Sequence, residues 1–320
     1  MKSKILSVLR HSDDYVSGED LSRCLGVTRT AVWKNINLLK DEGYNIHSVR
    51  NKGYKLESSP DLLDKELIID KLSPSVIGTK IEILKTIDST NEEVKRRASR
   101  GEASGLVIGA EEQTAGKGRF GRLWKSDNGG LYFSVLLRPE LPPSEIAAIT
   151  LAAGFAVCNA VRDYTNCDAQ IKWPNDIIIG NKKICGILTE MAAQSDRLDY
   201  VVIGIGINVN HCTFPDEIQH KATSLFLETN QKTDRNDFFA AVLKSLDTVM
   251  QSFLVSLSID DVNRFKELCA TLGRNVSLER SGTVIQGIAE DINLSGELII
   301  NSNGKKITVN SGEVTVQGIY

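Results

Sequence analysis

The chain reads as an α+β protein of several domains: an N-terminal winged helix-turn-helix, a central mixed sheet with helices, and a small terminal β-barrel. Three observations predict this. Residues 1–60 hold three short helix patterns followed by two alternating strands. From Ile81 to Val209, β-branched runs alternate irregularly with helical ones, and a hairpin signature among them argues against a purely parallel sheet. From Leu272 onward the helical signal gives way to short strands separated by Gly turns. The predicted domains are residues 1–60, 61–271 and 272–320.

In the first unit, Lys2 to Arg10 carries Ile5, Leu6, Val8 and Leu9 at helical spacing. Ser17-Gly18-Glu19-Asp20 resembles a capping box and opens a second helix that Gly26 stops. Thr28 caps a third helix running to about Glu42, with Gly43 just past its end. Its apolar stripe is Val32, Ile36 and Leu39, while Arg29, Thr30, Lys34 and Asn37 fall on other faces. Two helices joined by a short Gly-containing turn make a helix-turn-helix, whose second helix suits the major groove. Two strands follow, Tyr44 to Val49 and up to Leu56, around an Asn51-Lys52-Gly53 turn, forming a wing. Arg50, Lys52 and Lys55 would face phosphates, and Arg29, Thr30 and Lys34 base edges. The candidate DNA-contacting set is Gly18, Thr28, Arg29, Thr30, Lys34, Asn37 and Lys52.

Glu57 to Asp61 reads as a linker, followed by a helix from about Asp61 to Leu72. The predicted strands of the body are Ile81–Ile87, Leu106–Gln113, Leu131–Leu137, the Ile171 region, Asp176–Ile179, Ile184–Glu190 and Tyr200–Val209. The apolar run Ile146–Val161 is short of a membrane span and reads as a buried helix. Asp234 to about Ala270 reads as helical. The barrel strands are Val276–Leu278, Gly287–Ala289, Glu297–Ile300 and Val314–Val316.

With 320 residues, 41% hydrophobic and 25% charged, the chain has room for two or three domains. A net charge of −3 excludes a general polycation, but the charge is uneven. Residues 1–60 carry 10 Lys and Arg against 7 Asp and Glu; the remainder carries 28 against 34. A basic segment on an acidic body fits a local anionic partner. Six cysteines and four histidines are scattered without zinc-ligand spacing, so reduced thiols and a cytoplasmic location are expected. The opening residues have no apolar segment of the secretory kind, and no membrane role is expected.

The densest chemical signal is Gly116-Lys117-Gly118-Arg119-Phe120-Gly121-Arg122-Leu123-Trp124. Glycines let backbone approach a ligand, and the cations suit an anion. It is not a Walker A loop, because Gly118 stands where Ser or Thr is required. Gly204-Ile205-Gly206 begins like a dinucleotide fingerprint, but Val209 occupies the place of the third glycine. Lys172-Trp173-Pro174-Asn175-Asp176 opens a hairpin that turns at Gly180-Asn181 and returns through Lys183. Asp88-Ser89-Thr90-Asn91 ends a strand and caps a helix.

These segments together resemble the biotin–protein ligases, specifically the bifunctional kind that also represses the biotin operon. The matching pieces are Ser89-Thr90-Asn91, Gln113 to Arg119, Lys172 to Asp176, Lys183 to Leu188 and Gly204 to Val209, in family order. The resemblance spans nearly the whole chain. It implies a class II synthetase-like ligase domain with helices on one side of the sheet and the ligand over the other, and an SH3-like tail. It further implies two steps: biotin and ATP form biotinoyl-5'-AMP, then a lysine of a biotin carboxyl carrier domain attacks the acyl carbon.

On that resemblance Lys183 and Arg119 are the catalytic candidates. The biotin-binding candidates are Ser89, Thr90, Asn91, Gln113, Lys117, Gly118, Arg119 and Lys183. The nucleotide-binding candidates are Arg119, Arg122, Trp124, Lys172, Asn175, Asp176 and Asn208. Asp176 either binds Mg2+ or orients the attacking amine. The ligands are biotin, ATP and Mg2+; the partners are the carrier domain, operator DNA and a second copy in a ligand- or DNA-induced dimer. Two positions depart from some relatives: Phe120 replaces an Arg, and Ala222, within the covering segment His211–Ser224, replaces an aromatic. The alternatives are a lipoate-type ligase of the same fold and a sensor-only repressor.

Overall fold

The structure is a computed structural model of the chain and describes residues 1–194, 197–255, 259–280, 283–310 and 312–320. The chain divides into two compact units, Met1–Leu62 and Leu63–Tyr320.

The first unit contains α1 (Lys2–Arg10), α2 (Gly18–Leu25), α3 (Arg29–Asp41), β1 (Asn45–Val49) and β2 (Gly53–Ser58). The Ser17 hydroxyl accepts from the Asp20 N–H at 3.0 Å, and Thr28 accepts from Ala31 at 3.2 Å. Gly26 closes α2 in the left-handed conformation at φ +64°. Ile5, Leu6, Leu9, Leu21, Val32, Ile36, Leu39 and Ile46 form one core. The wing turn needs its glycine: at Gly53 (φ +118°) a Cβ would lie 2.1 Å from the Val16 carbonyl oxygen.

The second unit opens with α4 (Lys65–Ile69), shorter than the predicted 61–72 helix. The Leu63 N–H donates to the Glu111 carboxylate and the Asp64 N–H to Asn236 at 2.7 Å. The Asp64 side chain in turn caps Glu66, so the helix cannot begin earlier.

After it come β3 (Lys80–Ile87), α5 (Thr90–Ala98), β4 (Leu106–Gln113), β5 (Leu131–Leu137), α6 (Ile146–Thr165), β6 (Ala169–Lys172), β7 (Asp176–Ile179), β8 (Lys182–Gln194) and β9 (Arg197–Ile207). The described residues form a seven-stranded sheet ordered β3-β4-β5-β9-β8-β7-β6. β3 and β4 run parallel and the other pairs antiparallel, which makes the sheet mixed.

Then follow α7 (Leu225–Thr229), α8 (Arg235–Val255) and α9 (Ile259–Glu267). The predicted 234–270 helix corresponds to α8 and α9, and its residues 256–258 lie outside the described ones. α6 and α8 pack with one sheet face, burying Phe133, Ile187, Ile203, Phe239 and Leu243 in a common core. At 20 residues α6 exceeds the predicted run and could span a membrane by length and apolarity, yet it lies largely buried in this core. Helices are not confined to one face: α5 lays Val94 and Ala98 on Ile108, Leu136 and Val202 of the opposite face. The rest of that opposite face carries the pocket described below.

The tail comprises β10 (Asn275–Arg280), β11 (Thr283–Ile292), β12 (Leu298–Ser302), β13 (Lys305–Val309) and β14 (Val314–Val316), in the antiparallel order β13-β12-β11-β10-β14. β13 is absent from the predicted strands. Its signal was the Asn303-Gly304 pair, both at positive φ, which turns β12 into β13. The tail shares the core of the seven-stranded sheet, and the Trp173 indole N–H donates to the Gly296 carbonyl at 3.0 Å.

Candidate active site

A cavity of about 590 Å³ opens over the second sheet face. Its floor is β8 and β9, where glycines replace side chains. A Cβ at Gly206 would meet the Trp124 Nε1 at 2.5 Å, and one at Gly186 would meet the same indole at 2.8 Å. At Gly204 a Cβ would fall 2.0 Å from Asn91 Oδ1. Trp124 and Asn91 therefore lie directly on the strands because nothing projects there. The Trp124 indole N–H is buried without an acceptor among the described residues, a free donor at the floor of the cavity.

The basic loop is a closed hairpin rather than a loose turn. The Gly118 N–H donates to the Arg122 carbonyl at 2.7 Å and the Trp124 N–H to the Gly116 carbonyl at 2.9 Å. Gly116 must be glycine, since a Cβ would come within 2.4 Å of the Trp124 carbonyl oxygen. Phe120 sits at the tip with φ +57°, a strained conformation for a bulky residue, and is 68% exposed. Its ring covers the Arg119 guanidinium at 5.0 Å. Arg119 donates to Asn175 Oδ1 at 3.0 Å, and Asn175 Nδ2 donates to the Ile187 carbonyl at 2.9 Å. Asn175 thus ties the guanidinium to the floor. Arg122 forms an ion pair with Glu313 of the tail at 2.5 Å, and Lys117 one with Glu92 at 2.6 Å.

Lys183 owes its direction to a β-bulge. Ile177 pairs with Cys185 but Ile178 pairs with Lys183, so β8 carries one extra residue at Ile184. Strict alternation would have put Lys183 on the core face with Cys185 and Ile187. The bulge turns it onto the pocket face beside Gly186. Its ammonium stands 5.1 Å from the Trp124 ring centroid and 2.6 Å from Asp176 Oδ1. Asp176 Oδ1 has no aligned hydrogen-bond donor, so that pair is Coulombic. Asp176 Oδ2 accepts from the Tyr320 hydroxyl at 2.5 Å. The covering segment joins here too: Lys183 N–H donates to the Lys221 carbonyl and Thr223 N–H to the Lys183 carbonyl.

At the N-terminus of α5 the side chains do not cap the helix as expected. Ser89 makes no side-chain cap bond. Instead the Thr90 N–H donates to Gln113 Oε1 at 2.8 Å, and Gln113 Nε2 donates to Ser126 at 2.8 Å. Asn91 Nδ2 donates to Glu190 at 2.8 Å, while the Ser134 hydroxyl lies 2.5 Å from Asn91 Oδ1 and 2.7 Å from Thr90 Oγ1. This is a buried amide-and-hydroxyl corner fit for a neutral polar ring.

Burial sets the electrostatics. It lowers the affinity of Arg119 for its proton, against the opposing pull of Asp176 and Glu313. It also brings Lys172 down to about 8, with Asp176 opposing and Lys183 reinforcing the shift. The Lys172 ammonium sits 3.5 Å from the Tyr320 ring centroid. His211, on the covering segment, is likewise held toward its neutral form by burial.

Ser89, Thr90, Asn91, Gln113, Lys117, Gly118, Arg119, Arg122, Trp124, Lys172, Asn175, Asp176, Lys183 and Asn208 all line this one cavity. Asn208 differs in orientation: its Nδ2 donates to the Thr223 carbonyl at 3.0 Å, making it a strut for the covering segment. Ala222 lines the cavity with no ring to stack. Sequence reasoning missed Gly204 and Gly206 as floor, and missed Ser134, Glu190, Glu313 and Tyr320. The paired glycines on a strand were a readable signal; the other four carry no local pattern.

In the separate first unit, Arg29, Thr30, Lys34 and Lys52 are exposed and Asn37 is half-buried. The Thr28 hydroxyl serves as a cap, and Gly18 lies against Tyr54. Trp33, one turn from Thr30 and Asn37, is 55% exposed on α3 and escaped the sequence reading.

The Biotin/lipoate A/B protein ligase family matches residues 83–208, an HTH domain matches residues 2–55, and the biotin protein ligase C terminal domain matches residues 271–316. Over 294 residues the chain is 35% identical to the bifunctional ligase/repressor BirA of Bacillus subtilis, covering 91% of this chain and 90% of that protein. The chain belongs to the bifunctional biotin–protein ligase family. A second ligase/repressor, BirA of Escherichia coli, is 29% identical over 315 residues, 98% of this chain and 96% of that protein. Among solved structures, the biotin protein ligase of Aquifex aeolicus in complex with biotin and ATP superposes with a TM-score of 0.66 at 31% identity. It covers 75% of this ligase and 99% of that chain. The predicted fold class and family are thereby borne out.

Proposed function

We propose that this protein is an ATP-dependent biotin–protein ligase that also acts as a biotin-responsive transcriptional repressor. The observation that carries the ligase half is the pair of cations, Arg119 and Lys183, held on separate elements over a glycine floor beside a neutral polar corner. A carboxylate and a triphosphate repel each other, and two fixed cations lower that repulsion where charge develops.

In this reading the ureido ring of biotin occupies the corner of Thr90, Asn91 and Gln113. Its carboxylate then points toward Lys183 and Arg119, with the adenine side toward Trp124 and Lys172. A carboxylate oxygen attacks the α-phosphorus and pyrophosphate leaves. A carrier lysine, once deprotonated, attacks the acyl carbon and AMP leaves. Asp176 is the carboxylate next to that path and suits orienting the amine. It does not fit a resident Mg2+ ion, because Lys183 already compensates its charge, the Tyr320 hydroxyl occupies Oδ2, and no group of three or more His, Cys, Asp or Glu forms a metal cluster among the described residues. Any Mg2+ would arrive with the triphosphate.

The repressor half rests on the winged helix-turn-helix and its exposed Arg29, Thr30 and Lys34. Ligand binding would order the basic hairpin and the 211–224 segment, favour a homodimer and so raise operator affinity. A cytoplasmic location is part of this reading.

The test is to incubate the full chain with ATP, Mg2+ and a biotin carrier domain, offering biotin in one arm and lipoate in the other, and to weigh the carrier. A biotinyl mass increment in the first arm alone supports the reading; no increment, or one with lipoate, refutes it.

A further inference from the structure

We infer that Tyr320 is a positioning residue for this reaction: its hydroxyl fixes the Asp176 carboxylate and its ring fixes the Lys172 ammonium, so a residue of the tail sets the charge geometry of the catalytic floor. The inference rests on the proposed ligase reading.

Three contacts place it. After β14 the chain turns at Gly318 (φ +79°) and buries Ile319 to 2% exposure. The Tyr320 N–H then donates to the Asn181 carbonyl at 3.2 Å, at the turn between β7 and β8 that leads into Lys183. The phenol hydroxyl donates to Asp176 Oδ2 at 2.5 Å. The ring face meets the Lys172 Nζ at 3.5 Å from its centroid, a close cation–π contact. The residue as a whole is 39% exposed, but its hydroxyl end is directed inward and burial raises the phenol's affinity for its proton. It therefore donates, and does not ionise, in the working range.

The consequence is a division of labour on one carboxylate. Tyr320 occupies Oδ2 and leaves Oδ1 to Lys183. Without the hydroxyl, both oxygens are free to draw Lys183 away from an incoming anion. Without the ring, water reaches Lys172 and its basicity rises toward the ordinary value. The charged groups facing Lys172 are Asp176, Lys183, Glu313 and Arg122; both variants keep all four charges and both remove the Asp176 Oδ2 donor, so only the ring distinguishes them.

Two variants of the full chain separate these effects, read by biotin-dependent pyrophosphate release with ATP across pH. Tyr320→Phe keeps the ring and loses the donor. Its kcat should fall about tenfold, the scale of one hydrogen bond to a charged group. Its KM for biotin should stay within about twofold, since Tyr320 is not hydrogen-bonded to Thr90, Asn91 or Gln113. Its alkaline decline should keep the wild-type midpoint. Tyr320→Ala should show the same loss in kcat with that midpoint moved upward, because hydrated Lys172 stays charged to higher pH. Wild-type kcat and an unmoved alkaline limb in both variants would overturn the inference while leaving the ligase reading intact. So would a kcat loss matched by a rise in biotin KM and a lowered unfolding midpoint, the signature of a merely structural residue. A wild-type protein that releases no pyrophosphate would overturn both.

Discussion

Lys183 faces Asp176 across 2.6 Å because β8 carries one residue more than β7 at that point. The bulge takes a lysine destined for the apolar face and delivers it to the polar one. Without it a charged side chain would sit among Cys185, Ile187 and Ile177, which are buried. Deleting Ile184 removes the extra residue itself, so Lys183 becomes the neighbour of Cys185 and alternation keeps it on the pocket face opposite Ile178. Thermal unfolding of that deletion should show a lowered midpoint from the lost buried Ile184 side chain, with activity retained at low temperature.

The glycine floor makes a second prediction. Gly206→Ala places a Cβ 2.5 Å from the Trp124 Nε1, so the indole must lift. Overpacking of this kind costs about 1–3 kcal/mol. ATP binding should weaken about tenfold or more, and tryptophan emission should shift in the free protein. Titration with ATP and an emission spectrum check both.

Arg235 and Glu111 form a buried ion pair at 2.8 Å, 1% and 7% exposed, and Arg235 also donates to the Gly130 carbonyl. Removing one partner strands the other charge. Arg235→Leu should destabilise the protein by about 3–5 kcal/mol, and the double change with Glu111→Leu should cost less than the single one. Denaturant unfolding of the set measures this.

Lys172 gives a pH signature in stability. Its folded pKa is about 8 against an ordinary 10.5. Between those values the unfolded chain binds more protons than the folded one, so stability rises with pH there. The penalty is complete below pH 8 and relieved as pH climbs toward 10.5. Lys172→Met lacks it. The variant should exceed wild type by on the order of 2 kcal/mol at neutral pH, and the gap should close by pH 10.5.

In the first unit, Lys52→Ala should weaken DNA binding at all sequences alike and reduce the salt slope by about 1. Arg29→Ala should cost about 1–3 kcal/mol at its preferred base and relax preference there. Fluorescence anisotropy at several salt concentrations distinguishes the two.

The winged unit was legible nearly to the residue because its signals are local: Ser17, Gly26, Thr28 and the Asn51–Gly53 turn each act on their immediate neighbours. The cavity's motif residues were legible because they come in runs. What escaped was non-local or subtractive. The bulge at Ile184 leaves no mark in the alternation of Ile184, Cys185, Gly186 and Ile187. Tyr320 meets Asp176 from 144 residues away, and Glu313 meets Arg122 from 191. Gly204 and Gly206 read as a failed nucleotide fingerprint because their role is to supply nothing, leaving room for Asn91 and Trp124. The α4 boundary was lost to Glu111 and Asn236, which claim the preceding backbone donors.

The central claim is that Lys183 and Arg119 jointly hold two mutually repelling anions until they react. The most direct measurement is the single-turnover rate of biotinoyl-AMP formation in the Lys183→Met variant, with biotin and ATP saturating. The account predicts a fall of about 10²–10³-fold, with wild-type folding and biotin still bound. Formation at the wild-type rate would contradict it.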